Sequence, residues 1–309
     1  MEVDKTMLGL HQEIATLKQE RNAIILAHTY QRGEIQDCAD FVGDSYGLSV
    51  AAHRTEASLI IFCGVRFMAE TAAILNPTRP VILPEPQAGC PMADMITPRE
   101  LKELKAEYPK HMVMCYVNST AEIKALSDIC CTSSNAVSIA RQLPTDRGII
   151  FVPDQYLGSW VQECTGRNIV LWHGLCPTHF RITPEDIHEA RLAHPEADLL
   201  IHPEATPECR ILADAVLSTG EMCSHVAASN RHEFIIATET GILHTLQKQH
   251  PEKRFLAITD GAVCPNMKRG TLRSLRNALA GTGGEQITVE KKIAEKALRS
   301  LEEMLRLSA

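Results

Sequence analysis

The chain has 309 residues, 45% of them hydrophobic, with 31 basic and 38 acidic side chains and a formal net charge of −7. This composition is typical of a globular protein, and the acidic balance gives no electrostatic basis for binding nucleic acid or an anionic membrane. No run approaches the roughly 18 apolar residues of a membrane-spanning helix, and the first residues lack the basic and apolar regions of a secretory signal. We therefore expect a cytoplasmic protein.

Helices and strands are predicted to alternate in three successive rounds. The first round has an amphipathic helix over residues 7–21 and strands in AIILAH, SLIIFCG and PVILPE. The second has a helix over residues 98–108 and strands in HMVMCY, GIIFVP and NIVLWH. The third has a helix over residues 184–194 and strands in ADLLIH, FIIAT and FLAIT. This alternation predicts an α/β fold with parallel sheets.

Matching residues recur at fixed distances from the end of the first strand in each round. The repeated block starts at His28, Tyr116 and His202. It continues with a glutamate six positions on, an aspartate twelve positions on and a hydroxyl seventeen positions on: Glu34, Glu122, Glu208, Asp40, Asp128, Asp214, Ser45, Ser133 and Thr219. Apolar residues between the glutamate and the aspartate have helical spacing, as at Ile123, Leu126 and Ile129 and at Ile211, Leu212 and Ala215. The repeated acids are predicted to hold helix ends or contacts between domains.

A period of this length indicates a repeated domain. We predict three similar three-layer αβα domains with pseudo-threefold symmetry. They span residues 1–109, 110–196 and 197–309, the last with a C-terminal helix added.

Cys-Pro occurs three times, at Cys90, Cys176 and Cys264, and a threonine follows seven positions after each cysteine. Each pair lies in a turn after the last strand of its round, where α/β sheets place ligands. The chain has 11 cysteines but no export signal, which favours thiols or metal ligands over disulfides. We predict the three Cys-Pro cysteines to be ligands of one metal centre and the others to be structural: Cys38, Cys63, Cys115, Cys130, Cys131, Cys164, Cys209 and Cys223.

Three thiolates from separate domains could hold zinc or an iron–sulfur cluster. A [4Fe–4S] cluster is wider than a single zinc ion and suits ligands that arrive from different directions. With three cysteines, one iron keeps an open position and acts as a Lewis acid.

Polar groups are predicted to surround this centre. Ser45, Ser133 and Thr219 open three helices, where they either cap the helix or help its N-terminus to bind a carboxylate or a phosphate. The first strands end in HTY, YVN and HPE, so Tyr30, Asn118 and Glu204 share one repeated position. His179 lies three residues after Cys176, and Glu204 is the best candidate for a general base.

These residues resemble the A-type quinolinate synthase family. The resemblance covers nearly the whole chain and rests on AHTYQ, VGDSYGLS, YVNST, SSNA, HPE, STGEM and the segment that begins at Cys264. It implies a triangle of three αβα domains around a [4Fe–4S] cluster, with Cys90, Cys176 and Cys264 as ligands. One departure is the segment after Cys264, because it lacks the CxxCxxC pattern of some members.

The resemblance implies condensation of iminoaspartate with dihydroxyacetone phosphate to quinolinate, with loss of phosphate and two waters, in NAD biosynthesis. It implies a transient link to the aspartate oxidase or dehydrogenase that makes iminoaspartate. Binding of carboxylates and phosphate would fall to Ser45, Asn118, Ser133, His179, His202 and Thr219. Proton transfer would fall to His28, Tyr30, Tyr116 and Glu204.

Two other functions remain open from the sequence. A diphthamide-synthesis enzyme resembles this architecture and uses one cysteine per domain for radical chemistry on a protein substrate. A non-catalytic iron–sulfur sensor would hold its cluster with four ligands. The polar residues at the strand ends favour the dehydrating enzyme.

Overall fold

The computed structural model describes residues 2–308, which form an α/β protein with three sheets. The chain divides into two compact units. The first unit comprises the residues up to Cys90 together with Cys264–Lys291, and the second comprises Pro91–Val263 with the residues from Lys292 onward.

The first unit begins with four strands that alternate with helices. These elements are α1 (Glu2–Glu20), β1 (Ala23–His28), α2 (Gly33–Gln36), β2 (Phe41–Gly43), α3 (Ser45–Arg54), β3 (Leu59–Cys63), α4 (Arg66–Leu75) and β4 (Val81–Leu83).

The second unit starts with a 3-10 turn, Pro91–Asp94, and contains two further rounds of strands and helices. The first of these rounds contains α5 (Pro98–Glu107), β5 (Met112–Tyr116), α6 (Ala121–Ala125), β6 (Ile129–Cys131), α7 (Ala136–Gln142), β7 (Ile149–Val152), α8 (Gln155–Thr165), β8 (Ile169–Leu171) and α9 (Pro177–Phe180). The next contains α10 (Pro184–Ala193), β9 (Asp198–Ile201), α11 (Pro207–Arg210), β10 (Ala215–Val216), α12 (Thr219–Ala228), β11 (Glu233–Ala237), α13 (Ile242–Gln249) and β12 (Arg254–Ala257). The chain ends with α14 (Leu272–Ala280), β13 (Glu285–Gln286) and α15 (Lys291–Leu307).

The three sheets have the same strand order. Their parallel strands run β2-β1-β3-β4, β6-β5-β7-β8 and β10-β9-β11-β12, and β13 joins the first sheet antiparallel to β4. Three parallel sheets in an α/β arrangement confirm the predicted fold class. The pseudo-threefold arrangement and the domain boundaries at 109 and 196 stay predictions.

Helices cover both faces of the first sheet. Successive residues of a strand point to opposite faces, so a buried strand offers side chains to a helix layer on each side. Ile25 of β1 and Ile61 of β3 belong to a buried cluster with Ile14 of α1 and Leu275 of α14. The helices α3 and α4 contact the sheet as well as each other. Within the described part of the chain, no helix has both the length and the apolar character needed to cross a bilayer.

One sequence prediction was wrong. The helical spacing between the repeated glutamate and aspartate does not belong to one helix. Ile129 lies in β6 and Ala215 in β10, and only the short helices α6 and α11 precede them. Strands of two or three residues are too short to show an alternating pattern. The apolar residues of a short helix and of the short edge strand after it can therefore show the spacing of one longer helix.

The repeated aspartates hold the first strand of their own sheet. The carboxylates of Asp40, Asp128 and Asp214 accept the backbone N–H groups of Ile25, Val113 and Leu199 at 2.8, 2.7 and 2.7 Å. The prediction that they hold helix ends or contacts between domains was therefore wrong for the three aspartates, whose side chains bind a strand of their own sheet.

We expect Asp128→Ala to lower the free energy of unfolding by about 1 kcal/mol, because the N–H of Val113 loses its carboxylate partner. Urea unfolding of the variant would measure this. Asp146→Ala, in an exposed loop, is the matched control. Equal stability of the two variants would contradict the strand-holding role.

Candidate active site

The repeated threonines that follow the Cys-Pro pairs begin the next helix. Thr97, Thr183 and Thr271 are the N-caps of α5, α10 and α14, and each forms a capping box with the third helical residue. Each Cys-Pro segment therefore lies between a strand and a fixed helix start, which limits how far its cysteine can move.

The first strand of each sheet ends in a tight turn that presents a polar side chain. In the first sheet the backbone N–H of Gln31 donates to the carbonyl of His28 at 2.9 Å. In the third sheet the backbone N–H of Ala205 donates to the carbonyl of His202 at 3.0 Å. Tyr30 and Glu204 are the third residues of these turns. We call the three equivalent turns, residues 28–31, 116–119 and 202–205, the strand mouths.

The strand mouth of the second sheet is closed by a side chain. The hydroxyl of Ser119 donates to the carbonyl of Tyr116 at 2.7 Å. The third residue of this turn is Asn118, whose Oδ1 is buried and accepts no hydrogen bond from any residue between 2 and 308. A buried amide oxygen without a partner is unfavourable, so this atom is well placed to meet a ligand.

His28 and Tyr30 lie together at the strand mouth of the first unit, and both are buried. The Nδ1 atom of His28 accepts the backbone N–H of Tyr30 at 3.1 Å, and the two rings have centroids 4.6 Å apart. Because Nδ1 is an acceptor here, the ring proton of a neutral His28 belongs on Nε2. His28 can thus donate a hydrogen bond from Nε2 to a ligand.

The segment after Cys264 packs on the same strand mouth. Lys268 Nζ donates to the carbonyl of Tyr30 at 2.5 Å, and Arg32 Nε donates to the carbonyl of Lys268 at 2.8 Å. Arg269 also reaches the loop before Cys90, where its guanidinium donates to the side chain of Gln87 at 3.2 Å. The first unit therefore brings two Cys-Pro segments and one strand mouth together.

A buried hydrogen-bond network occupies the second unit. The phenol of Tyr116 donates to Glu204 Oε1 at 2.5 Å, and His179 Nδ1 lies 2.7 Å from Glu204 Oε2. The other ring nitrogen of His179, Nε2, lies 2.7 Å from the hydroxyl of Thr238. His202 stacks on His179 with ring centroids 4.4 Å apart. All five residues are at most 4% exposed, so the network is shielded from bulk water.

Two carboxyl groups in this region have opposite pKa shifts. Burial raises the pKa of Glu204, but His179, His202 and Tyr116 together outweigh burial and leave that pKa at about 2. Burial and the charge of Glu204 raise the pKa of Asp154 well above its ordinary value, although nearby backbone N–H groups oppose this. Glu204 is therefore ionised at neutral pH, and it is a poor base toward a substrate proton.

Cys176 lies beside this network. It is half-buried at the start of α9, and its thiol is within 4.8 Å of ligand atoms of His179 and Glu204. Three such groups could hold a single metal ion. Both ring nitrogens of His179 are already used, however, by Glu204 and Thr238. The trio is better described as a hydrogen-bonded group next to a thiol than as a complete set of metal ligands.

The repeated hydroxyls do not cap the helices that they begin. Asp44 and Ser218 cap α3 and α12, so Ser45 and Thr219 are the first helical residues. Ser133 lies two residues before Asn135, the N-cap of α7. The capping alternative is therefore wrong for all three, which leaves the ligand-binding alternative as a prediction.

Each of the two compact units contains one group of the predicted site residues. The first group is His28, Tyr30, Ser45, Cys90 and Cys264, and the second is Tyr116, Asn118, Ser133, Cys176, His179, His202, Glu204 and Thr219. Sequence reasoning missed Asp154 and Thr238. Thr238 directly follows β11, and Asp154 follows β7 after one intervening residue, so their position at a strand end could have identified them.

Comparisons with known proteins agree on one family. A model of the family described as NadA, quinolinate synthetase A protein, matches residues 12–306. A quinolinate synthase of Dehalococcoides mccartyi strain CBDB1 is 52% identical over 298 residues, which are 96% of this chain and 98% of the relative. Quinolinate synthases of Caldicellulosiruptor saccharolyticus and Methanoregula boonei are 51% identical over 310 residues and 50% identical over 305 residues. The former match covers 100% of both chains, and the latter covers 99% of this chain and 100% of the relative.

Proposed function

The chain belongs to the quinolinate synthetase A family of enzymes, and from this premise we propose that it condenses iminoaspartate with dihydroxyacetone phosphate. The products are quinolinate, phosphate and two waters. The family match over residues 12–306 carries the proposal. The polar strand mouths support it, because the two carboxylates of iminoaspartate and the phosphate of dihydroxyacetone phosphate need many hydrogen-bond donors.

The cysteines fit a [4Fe–4S] cluster as the cofactor. Cys90, Cys176 and Cys264 are half-buried, whereas Cys63, Cys115, Cys130, Cys131 and Cys209 are buried in the core. A partly exposed thiol in a loop can ligate a cluster without disturbing a sheet, and thiolates are the preferred ligands of iron–sulfur clusters. When bound through these three cysteines, the cluster would supply a Lewis-acidic iron with an open coordination position.

Substrate binding is assigned to the donors at the strand mouths and helix starts. The NH₂ group of Asn118 can donate to a carboxylate oxygen, and its buried Oδ1 can accept from an N–H or O–H group of a substrate. The starts of α3 and α12 present backbone N–H groups beside Ser45 and Thr219, which suits a phosphate or a carboxylate. We assign Ser133 and His202 to the same task. His179 was expected to join them, but its ring nitrogens face Glu204 and Thr238, so we assign it to the network around Glu204.

Proton transfer is assigned to the network around Glu204. Glu204 is ionised, and its two oxygens accept hydrogen bonds from Tyr116 and His179, which fixes the orientation of both side chains. We infer that Glu204 acts through these two side chains. We also assign Tyr30 and His28 to proton transfer.

We expect Asn118→Ala to raise KM for a substrate by about 10–100-fold, because a hydrogen bond to a charged group contributes about 1.5–3 kcal/mol. Iron content and kcat should change little. Steady-state kinetics with each substrate varied in turn would measure the effect, with Asn168→Ala at an exposed position as the control. An unchanged KM for both substrates would contradict the assignment.

The activity itself is tested by a product assay. Protein reconstituted anaerobically with iron and sulfide is supplied with dihydroxyacetone phosphate and freshly generated iminoaspartate. We expect quinolinate and phosphate in equal amounts. Failure to form quinolinate with a fully loaded protein would refute the proposal.

Three further points rest on the family alone. They are a cytoplasmic location, a transient link to the aspartate oxidase or dehydrogenase that supplies iminoaspartate, and the convergence of three domains on one cluster. Co-purification with the supplying enzyme would support the link.

A further inference from the structure

Each repeat carries a buried hydrogen-bond donor eight residues after the start of its strand mouth. These residues are Gln36, Lys124 and Arg210, and they are 5%, 0% and 4% exposed. They differ in type, so a search for identical residues does not find them. Their common property is that each long side chain ends in an N–H donor and has no role in the proposed chemistry.

In the first sheet this donor binds the carbonyls on both sides of Tyr30. Gln36 Nε2 donates to the carbonyls of Thr29 and Gln31, both at 2.9 Å. The carbonyl of Tyr30 itself accepts from Lys268. Three consecutive carbonyls are thereby fixed, which leaves the backbone of Tyr30 little freedom.

In the third sheet Arg210 makes the same contacts around Glu204. Its Nη1 donates to the carbonyls of Pro203 and Ala205 at 3.2 and 2.9 Å. The guanidinium also bonds outward to the carbonyl of Tyr156 at 3.1 Å and to Glu163 at 2.6 Å. Arg210 thus ties the strand mouth to α8, which adjoins the second sheet.

In the second sheet Lys124 Nζ donates to the carbonyl of Ser119, the residue after Asn118. This carbonyl is equivalent to those of Gln31 and Ala205 in the other sheets. The same turn carbonyl is therefore held in all three repeats, by an amide, an ammonium and a guanidinium. Chance placement of three buried donors does not explain this shared partner.

We propose that Gln36, Lys124 and Arg210 are positioning residues that fix the strand mouths, so that Tyr30, Asn118 and Glu204 hold their working orientation. The proposal rests on the function proposed above. Losing such a donor would leave buried carbonyls unpaired and lower stability, but stability alone does not require the donor to hold the same turn carbonyl in all three repeats. A catalytic group displaced by about 1 Å can lose about 10²-fold in rate, and this is sufficient reason to keep these donors.

The test compares Arg210→Met with Arg167→Met. Arg167 is a matched control, because its guanidinium also binds several backbone carbonyls, those of Ala140, Leu143, Pro144 and Arg147. It lies away from the strand mouths. Three quantities are measured for each variant: the melting temperature, kcat and KM for quinolinate formation, and amide hydrogen exchange along the chain.

We expect Arg210→Met to lower kcat by about 10–100-fold, with KM changed by less than about threefold. Amide exchange should accelerate in residues 204–206, the non-proline residues around this turn. Arg167→Met should lower the melting temperature without changing kcat, and its faster exchange should lie near residues 140–147. Arg210→Lys, which keeps a donor, should recover part of the lost kcat.

Gln36→Met provides a second, milder variant, because it removes no charge and keeps the length of the side chain. We expect a lower kcat and faster exchange at residues 29–31. Asn76→Leu, which removes a buried amide elsewhere in the first unit, is its control. The inference is overturned if Gln36→Met keeps the wild-type kcat and exchange, or if the loss of kcat in each variant only follows its loss of melting temperature.

Failure of the two proposals can be told apart. If the wild-type protein forms no quinolinate, the proposed function fails, but the exchange data still decide whether these donors fix the strand mouths. If the wild type is active and the variants match their controls in every measurement, the positioning role fails while the function stands.

Discussion

Iron retention is expected to fall to background when any one of three cysteines is replaced, in Cys90→Ser, Cys176→Ser or Cys264→Ser. Wild-type protein reconstituted anaerobically should bind about four iron and four sulfide ions per chain, as a single [4Fe–4S] cluster does. With one of three thiolates gone, the cluster would be held by two cysteines. We therefore expect its absorption and its iron content to disappear together, and quinolinate formation to be lost with them.

The control for this experiment is a cysteine of similar exposure outside the predicted set. Cys164 and Cys223 are both half-buried on helices. Cys164→Ser and Cys223→Ser should keep the full iron content. Normal iron in Cys90→Ser, Cys176→Ser or Cys264→Ser would refute the ligand assignment, and so would loss of iron in both controls.

Glu204→Gln is expected to lower kcat by about 10²–10⁴-fold, the usual contribution of acid–base catalysis. The carboxylate accepts hydrogen bonds from Tyr116 and His179 inside a buried site. A glutamine has one acceptor oxygen, and its NH₂ group would face one of the two donors. The negative charge that both donors face would also be gone. Steady-state kinetics at full iron loading would measure the effect.

Two further variants complete this test. Glu208→Gln, an exposed glutamate of the same repeat, should keep wild-type kcat. Tyr116→Phe should also lower kcat. In the double variant Tyr116→Phe/Glu204→Gln, the fold-loss of kcat should be smaller than the product of the two single fold-losses, because the residues act as a unit. If the two substitutions lower kcat independently of each other, or if Glu204→Gln has a normal kcat, the role given to this network is contradicted.

The α/β class could be predicted because the apolar runs are local signals. AIILAH and SLIIFCG match β1 and β3 closely. The edge strands β2, β6 and β10 could not be predicted, since strands of two or three residues show no period. Ile129 and Ala215 were therefore assigned to helices.

The candidate site was only partly predictable. Identical residues at equal spacing indicated Tyr30 and Glu204 as equivalent positions. Hydrogen-bond partners are not encoded in spacing, so the link between Glu204 and Tyr116 required the structure. The three positioning donors were missed for another reason: their side chains differ, and only the shared carbonyl partner makes them alike.

The central claim is that three cysteines hold a cluster with one iron open to substrate. Mössbauer spectroscopy of protein reconstituted with iron-57, before and after addition of quinolinate, tests this most directly. We predict that one iron of the four differs from the others, and that its signal alone shifts when quinolinate binds. Four thiolate-ligated irons that do not respond to quinolinate would contradict the claim and would favour a non-catalytic cluster.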